Sequence, residues 1–524
     1  MRKYLIAAAI VLLVLGGIIM AGCSKKDNNY DRTLKTDNEI DFSAYIGSYD
    51  GETDLSAAFE TAIGDARTAG KGIYLPAGRY LIQKAVTVPE DVYLKFEEGA
   101  VIVIDSTRKI LSVTGEIVAG NWQIFEGNGL LKGITRCQST GNPVWFGAKG
   151  DGVTDDTAAF KLAWSLFSQL DVPYSEKGYV LGEISSFKNM VLNGCDKDRK
   201  TIIKALPGTE KLFKIVAPGY VTINNISFDL ADMPDGSTVF YYDTTQYLEY
   251  FYLTNCDFTD AYNVFTDAKS TSLMMFMHFE DCNFYRGRAQ TFDIEDFEGF
   301  IFMKRILIDN SESYTHHNLK AGIKAIDIDD VRGTIFEDIT VIGGGTEYSD
   351  EMAFYIPGEV QLMASLWWDR VTVKNMGGYA IYLKNTTLCS FIHVNIDNCG
   401  GGMRLSNSWD LQLEDVNVTN ITSGNGVYVV NSTTSQLCKV TCSNIKKNGV
   451  FLSGGDYVTV TDCTMTGCGE YGYSSSNCRG SMIVNSTAEG QKGNISIADS
   501  SKTSSAYNVV CNGETVSGTG NIQK

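Results

Sequence analysis

The sequence predicts an all-β solenoid, a parallel β-helix of stacked coils, on three observations. A six-residue apolar pattern recurs through the second half of the chain. A second strand pattern follows each copy at a fixed offset. Gly is abundant (52) and Pro scarce (8), which suits many short strands joined by tight turns.

The first pattern reads apolar, any, Asp/Asn or basic, apolar, any, apolar. It appears at Ile223 to Phe228, Leu253 to Phe258, Phe279 to Phe284, Phe336 to Val341, Trp368 to Val373 and Phe391 to Ile396. It continues at Leu413 to Val418, Leu437 to Cys442 and Val460 to Met465, with a weaker member centred on Ile306. From Val371 the anchors Val394, Val416, Val440 and Cys463 are 22–24 residues apart, and earlier steps reach 33, so loops are inserted there. Coils of 22–33 residues hold three short strands each, and alternate residues on a strand face in and out. The Leu-x-x-Leu-x-Leu signature of leucine-rich repeats, which have a similar length, is absent.

The second strand recurs as Ile381-Tyr382-Leu383, Met403-Arg404-Leu405, Val427-Tyr428-Val429 and Val450-Phe451-Leu452. Asn385, Asn407 and Asn431 each lie two residues after such a strand, which predicts a stacked, inward-facing Asn ladder. Cys256, Cys282 and Cys463 occupy one repeated inward position and read as buried thiols acting as small apolar groups. No Cys-x-x-Cys pair has a His at zinc spacing.

Upstream, one motif is written twice. Asp50-Gly51-Glu52-Thr53-Asp54 leads into Ala58-Phe59, and Asp151-Gly152-Val153-Thr154-Asp155-Asp156 leads into Ala159-Phe160. After the first, Leu55, Ala58, Phe59, Ala62, Ile63 and Ala66 keep a helical period; Thr53 or Asp54 can cap the helix, and Gly70 and Gly72 stop it. Asp155 precedes a similar run through Ala163, Trp164 and Phe167. Such short capping helices would cover the exposed end of a solenoid core.

The copy at Asp151, preceded by Phe146-Gly147-Ala148-Lys149-Gly150, resembles the opening of the pectate-lyase-like superfamily of right-handed parallel β-helices. That superfamily includes polysaccharide lyases, polygalacturonase-like hydrolases and tailspikes. The resemblance implies a right-handed solenoid acting on carbohydrate polymers; tailspike relatives also leave a homotrimer open. Residues 41–140 would form an N-terminal section and residues 141–524 the main solenoid, with a frayed polar end.

The N-terminus reads as targeting sequence. Arg2-Lys3 precede an apolar run over residues 4–19, then Met20-Ala21-Gly22-Cys23. This resembles a bacterial lipoprotein signal (residues 1–22) with lipid on Cys23, a polar tether over residues 23–40, and a place in the cell envelope, at the outer membrane or cell surface. A net charge of −18 argues against a nucleic-acid partner. An acidic substrate would need a local basic patch.

Aligning the second strand upward through the chain predicts two outward columns. One is Phe265, Asp293, Asp327, Tyr355, Tyr382, Arg404, Tyr428 and Phe451; the other is Asp267, Glu295, Asp329 and Lys384. Stacked strands lie about 4.8 Å apart, so Asp293, Glu295, Asp327 and Asp329 would form a carboxylate quartet. Like charges that close raise at least one pKa and yield a proton donor beside a carboxylate, the pair that glycoside hydrolysis uses. The same quartet could hold Ca²⁺ in a lyase, with Arg286, Arg288, Lys320 or Lys324 as base. Tyr355 and Tyr382 could stack on sugars, and Arg288, Lys320, Lys324 and Arg404 could bind their acids. The loops over residues 310–324 and 343–352 gather beside this face; the pair His316-His317 reads as loop surface.

Polygalacturonases place aspartates on neighbouring coils, followed by Gly-His-Gly and Arg-Ile-Lys segments. Asp293 and Asp329-Asp330 could match the aspartates, but no Gly-His-Gly exists, and Gly322-Ile323-Lys324 precedes the Asp pair. The expectation is a polysaccharide-cleaving lyase or hydrolase. The alternative is a non-catalytic carbohydrate-binding or adhesive surface protein.

Overall fold

A computed structural model describes residues 35–47, 50–105, 110–132, 140–186, 189–216, 219–243, 248–267, 274–294, 299–319, 322–329, 333–358, 363–499 and 502–524. Cys23, the apolar run before it, Glu295 and Lys320 lie outside the described residues.

The chain forms two compact units. The first holds Met1–Lys149, Ala158–Tyr174 and Asn193–Thr201. Its strands stack as three parallel sheets, because each coil contributes one short strand to each face. One coil runs Gly72–Leu75, Gly78–Ile82, Val86–Val88, and the next Leu94–Phe96, Ala100–Ile104, Ile110–Val113. The predicted helix forms over Ser56–Ala69 and buries Phe59, Ala62, Ile63 and Ala66. Phe42 closes that core, with its ring centroid 4.2 Å from Phe59 and 5.5 Å from Tyr80. Leu55, not Thr53 or Asp54, is the N-cap residue; Asp54 braces the turn before it, its Oδ1 accepting from Ser56 N at 3.1 Å and from Gln83 N at 3.0 Å, just past the strand Gly78–Ile82. Gly70 ends the helix in the left-handed region at φ 63°, where glycine is unstrained. The second copy repeats the device, with Asp155 Oδ1 accepting from Thr157 N at 2.9 Å before the helix Thr157–Leu166.

The second unit holds Gly150–Thr157, Ser175–Leu192 and Ile202–Lys524. Its 14-stranded sheet runs from Ile184–Ser186 through Asn263–Asp267, Phe292–Ile294, Lys324–Ile328, Met352–Ile356, Tyr379–Lys384 and Gly401–Ser406 to the C-terminus. Phe240, Phe265, Phe292, Ile326, Phe354, Ile381 and Met403 align in register and are buried, each 0 % exposed. The predicted anchors Cys256, Cys282 and Cys463 are buried, and their thiols donate to backbone carbonyls such as Ile223 O.

The repeated Asp/Asn-or-basic position has a backbone cause. Asn225, Asn255, Asp281, Arg305, Asp338, Arg370, His393, Asp415, Lys439 and Asp462 all sit at φ 50–58°, at a position that separates two short strands or falls within one long one. Asn and Asp tolerate that conformation. The bulkier residues there are held by ion pairs up and down the stack, as Arg305 Nη2 is by Glu280 at 2.6 Å and Arg370 Nη2 by Glu337 at 2.7 Å.

The Asn ladder forms. Asn407 Nδ2 donates to Asn385 Oδ1, and Asn431 Nδ2 to Asn407 Oδ1, each at 3.3 Å. It lies at a bend rather than inward: all three residues are left-handed (φ 47–55°), with Asn385 and Asn407 half-buried and Asn431 exposed. The C-terminus is also not frayed. Ser505–Cys511 and Glu514–Thr519 pair antiparallel, and Ile522–Gln523 pairs antiparallel with Gly493–Ala498. Reversing strand direction stops the parallel stack and occupies its open edge.

Candidate functional site

Asp293 and Asp327 align in register on adjacent parallel strands. The column continues through Tyr355, Tyr382, Arg404, Tyr428 and Phe451, as the alternation predicted. Phe265 does not belong to it. Phe265 pairs with Phe292 and points inward, and Thr266 occupies the place beside Asp293. The pairing sets this strand one residue away from the counted alignment, and Val264 N and Phe265 N both donate to Thr291 O, at 3.1 and 3.2 Å. Asp267 therefore also leaves the second column.

Burial pushes the Asp327 carboxyl up to about 6, helped by the negative charges of Asp293 and Asp329 and opposed by Lys324. Lys324 Nζ lies 3.6 Å from Asp327 Oδ2 and 3.6 Å from the centroid of the Tyr355 ring. Asp329 follows the end of its strand, half-buried, and its N–H donates to Ile294 O at 2.9 Å. With Glu295 outside the described residues, three of the expected quartet are in place on this face.

Beyond the acids the side chains form a ladder. Tyr355 and Tyr382 stack at 5.2 Å, and Tyr428 and Phe451 at 5.0 Å. The Arg404 guanidinium lies between, 5.4 Å from the Tyr382 ring and 5.7 Å from Tyr428. Near-parallel rings that close must lie face to face. They therefore present edges and hydroxyls outward, and the expected stacking of Tyr355 and Tyr382 on sugar faces gives way to a rail of polar edges.

The inserted loops are pinned beside the start of this column. The helix Ser313–His317 carries Tyr314, whose ring stacks on Tyr348 at 3.7 Å and whose hydroxyl accepts from Ile323 N at 2.8 Å. Glu351, 1 % exposed, accepts from Gly344 N at 2.9 Å and Gly377 N at 3.2 Å. Its burial pushes its carboxyl up to about 7.

One cluster was not read from the sequence. His317 Nε2 lies 3.0 Å from Asp260 Oδ1 and 3.1 Å from Arg286 O, and His316 Nε2 is 3.7 Å from the same carboxylate oxygen. Among the described residues, these are the metal-type donors that converge within 4.8 Å, and Asp293, Asp327 and Asp329 do not. Arg286 already engages both Asp260 oxygens, each at 2.9 Å. Burial alone would raise Asp260, but Arg286 and the histidines hold it below the usual carboxylate range. The arrangement is a buried ion pair with a histidine docked on it. Arg288 is spent on the same corner: it donates to Asp260 O at 3.0 Å and Met233 O at 2.9 Å, with a side chain 9 % exposed.

A family model described as "Right handed beta helix region" matches residues 370–522. No curated protein matches the chain. Among solved structures, the chain is similar to the periplasmic alginate epimerase AlgG, at 9 % identity and TM-score 0.37, over 66 % of this chain and 76 % of that one. It is also similar to a hyperthermoactive exopolygalacturonase from Thermotoga maritima, at 12 % identity and TM-score 0.31, over 73 % and 95 % of the two chains. Tailspike protein 3 of bacteriophage CBA120 is similar at 13 % identity and TM-score 0.31, over 71 % and 57 %. None of these similarities bears on which chemistry this chain performs. The stacked parallel coils and the matched region together make the fold a right-handed parallel β-helix.

Proposed function

We propose that this protein cleaves a polysaccharide on the outward column that begins at Asp293 and Asp327. The observation that carries the reading is the in-register carboxylate pair, one member of it a weak acid near 6. In this reading Asp327 donates a proton to the glycosidic oxygen, and Asp293 acts as the carboxylate partner. Adjacent strands are about 4.8 Å apart, near the 5–5.5 Å separation of retaining glycosidases and short of the 6.5–9.5 Å of inverting ones. Lys324 stands where an acid or leaving group on the sugar would meet a cation, and the polymer in this reading carries uronic acids. Lys324 also favours hydrolysis over a Ca²⁺-assisted lyase, because its ammonium already supplies positive charge at Asp327. The lipid on Cys23 would hold the protein at a bacterial cell envelope.

The second reading is a non-catalytic glycan-binding surface, favoured by the length of the ladder, which runs far past the acid pair to Phe451. A turnover screen on pectins, alginate, glycosaminoglycans and neutral glucans, with and without Ca²⁺, separates the readings. New reducing ends without unsaturated-uronate absorbance support hydrolysis, and that absorbance supports a lyase. Binding without either product supports the second reading.

A further inference from the structure

Nine arginines stand among the described residues. Eight are ion-paired: Arg67 with Asp91, Arg79 with Glu126, Arg199 with Asp196, Arg286 with Asp260, Arg288 with Asp235, Arg305 with Asp281, Arg370 with Asp338 and Arg479 with Asp456. Arg404 is the exception. In a chain with 62 acidic against 44 basic residues, a guanidinium with no carboxylate among the described residues is conspicuous, since partners are plentiful. It makes no hydrogen bond to a described residue either. Its Nε is buried without a partner, a state that native interiors rarely leave uncorrected.

Its place is equally specific. Arg404 is held in the outward ladder by Tyr382 on one side and Tyr428 on the other. Stacking fixes the guanidinium without using its N–H groups, so its Nη donors stay available while the side chain is held in position. From Asp327 the column steps through Tyr355 and Tyr382 to Arg404, three strand spacings or about 14 Å along the solenoid. That places Arg404 on the same face as the acid pair but several sugar units away.

We infer that Arg404 is a distal subsite for the carboxylate of a uronic acid in the bound polymer, read by its guanidinium fork. This rests on the polymer lying along the column, and it adds a prediction about chain length. Only oligomers that reach from Asp327 to Arg404 gain from it.

The test uses the full chain carrying Asp327→Asn, so that binding is measured without turnover. Affinities are compared with and without Arg404→Gln and Arg404→Lys, on polygalacturonate, its carboxyl-reduced neutral form and dextran sulfate. Arg404→Gln is expected to weaken polygalacturonate binding roughly tenfold or more. Arg404→Lys should recover part of it, and binding of the neutral polymer should not change. With Asp327 intact, Arg404→Gln should raise KM for long polymers and leave it unchanged for disaccharides. Equal polygalacturonate binding with and without Arg404 overturns the subsite, and preferential Arg404-dependent binding of dextran sulfate overturns the carboxylate assignment. If Asp293→Asn abolishes turnover while Arg404→Gln changes nothing, the cleavage reading stands and the subsite falls. A parent that neither binds nor cleaves any polyuronate removes both.

Discussion

Asp327 pairs in register with Asp293 on the adjacent parallel strand while the Lys324 ammonium lies 3.6 Å from its carboxylate. Burial outweighs that ammonium and pushes Asp327 up to about 6 from 3.8. A folded-state pKa above the unfolded one means that the native state binds the proton more tightly. The stability it contributes is present below about pH 4 and is lost as pH rises through 6. Asp327→Asn, a neutral isostere, should therefore stabilise the fold at pH 7–8 by at most about 3 kcal/mol, read as a higher melting temperature, while abolishing turnover. Thermal melts at pH 4 and pH 8 check this. Equal melts for both proteins at pH 8 would show that Asp327 is not held in a desolvated site.

Glu351 follows the same sign with a different role. Its carboxyl, raised to about 7 by burial, accepts from Gly344 and Gly377 and so ties the loop before Met352 to the next coil. Its stabilising share is present below about pH 4.5 and fades as pH rises through 7. Glu351→Ala should destabilise by about 2–4 kcal/mol, because two backbone donors lose their acceptor. Glu351→Gln should cost much less and flatten the pH dependence between 5 and 8, measured by urea denaturation across that range.

The sequence made the column legible because its strands repeat with a two-residue alternation: Tyr355, Tyr382, Arg404, Tyr428 and Phe451 fall where counting places them. Counting failed at Phe265, which pairs with Phe292 while Thr266 pairs with Asp293, one residue away from the counted alignment. Nothing in composition marks that offset, and an apolar Val264-Phe265 pair fits either face. The His317–Asp260 contact was illegible for another reason. It joins residues 57 positions apart through a helix inserted outside the repeat, and a repeat rule says nothing about where an insertion lands. The Asp/Asn-or-basic position was visible as a pattern, but its cause, a left-handed backbone, is a property of φ that the residue types only hint at.

The Asn ladder gives a backbone prediction. Asn407 is left-handed at φ 50° and both donates to Asn385 and accepts from Asn431. Asn407→Ala loses both contacts and adds the left-handed penalty, together about 2–3 kcal/mol. Asn407→Gly loses the contacts but relieves the backbone, so it should cost less than Ala. The order Asn, Gly, Ala in denaturant midpoint is the expected result. Ala at or above Gly would mean that side-chain loss, not φ, sets the cost.

Asp260 is the residue whose removal should be costliest at the loop corner. Its carboxylate is buried, takes both oxygens' bonds from Arg286 and holds His317 Nε2 at 3.0 Å. Asp260→Ala would leave a guanidinium without its counterion in a site where the acid side chain is 5 % exposed, a loss of about 3–5 kcal/mol. Because Arg286 and the histidines hold Asp260 below 3.8, its contribution is present above about pH 4 and lost as pH falls through the lowered value. His317, whose pKa burial lowers despite Asp260, stays neutral to lower pH than a free histidine, so its protonation does not add to stability near neutrality. If Asp260, His316 and His317 held a divalent ion, chelation would lower the melting temperature and Zn²⁺ would raise it. With both Asp260 oxygens committed to Arg286, neither chelator nor Zn²⁺ should move it by more than a degree or so. A clear shift with Zn²⁺ that His316→Ala removes would instead make this corner a metal site.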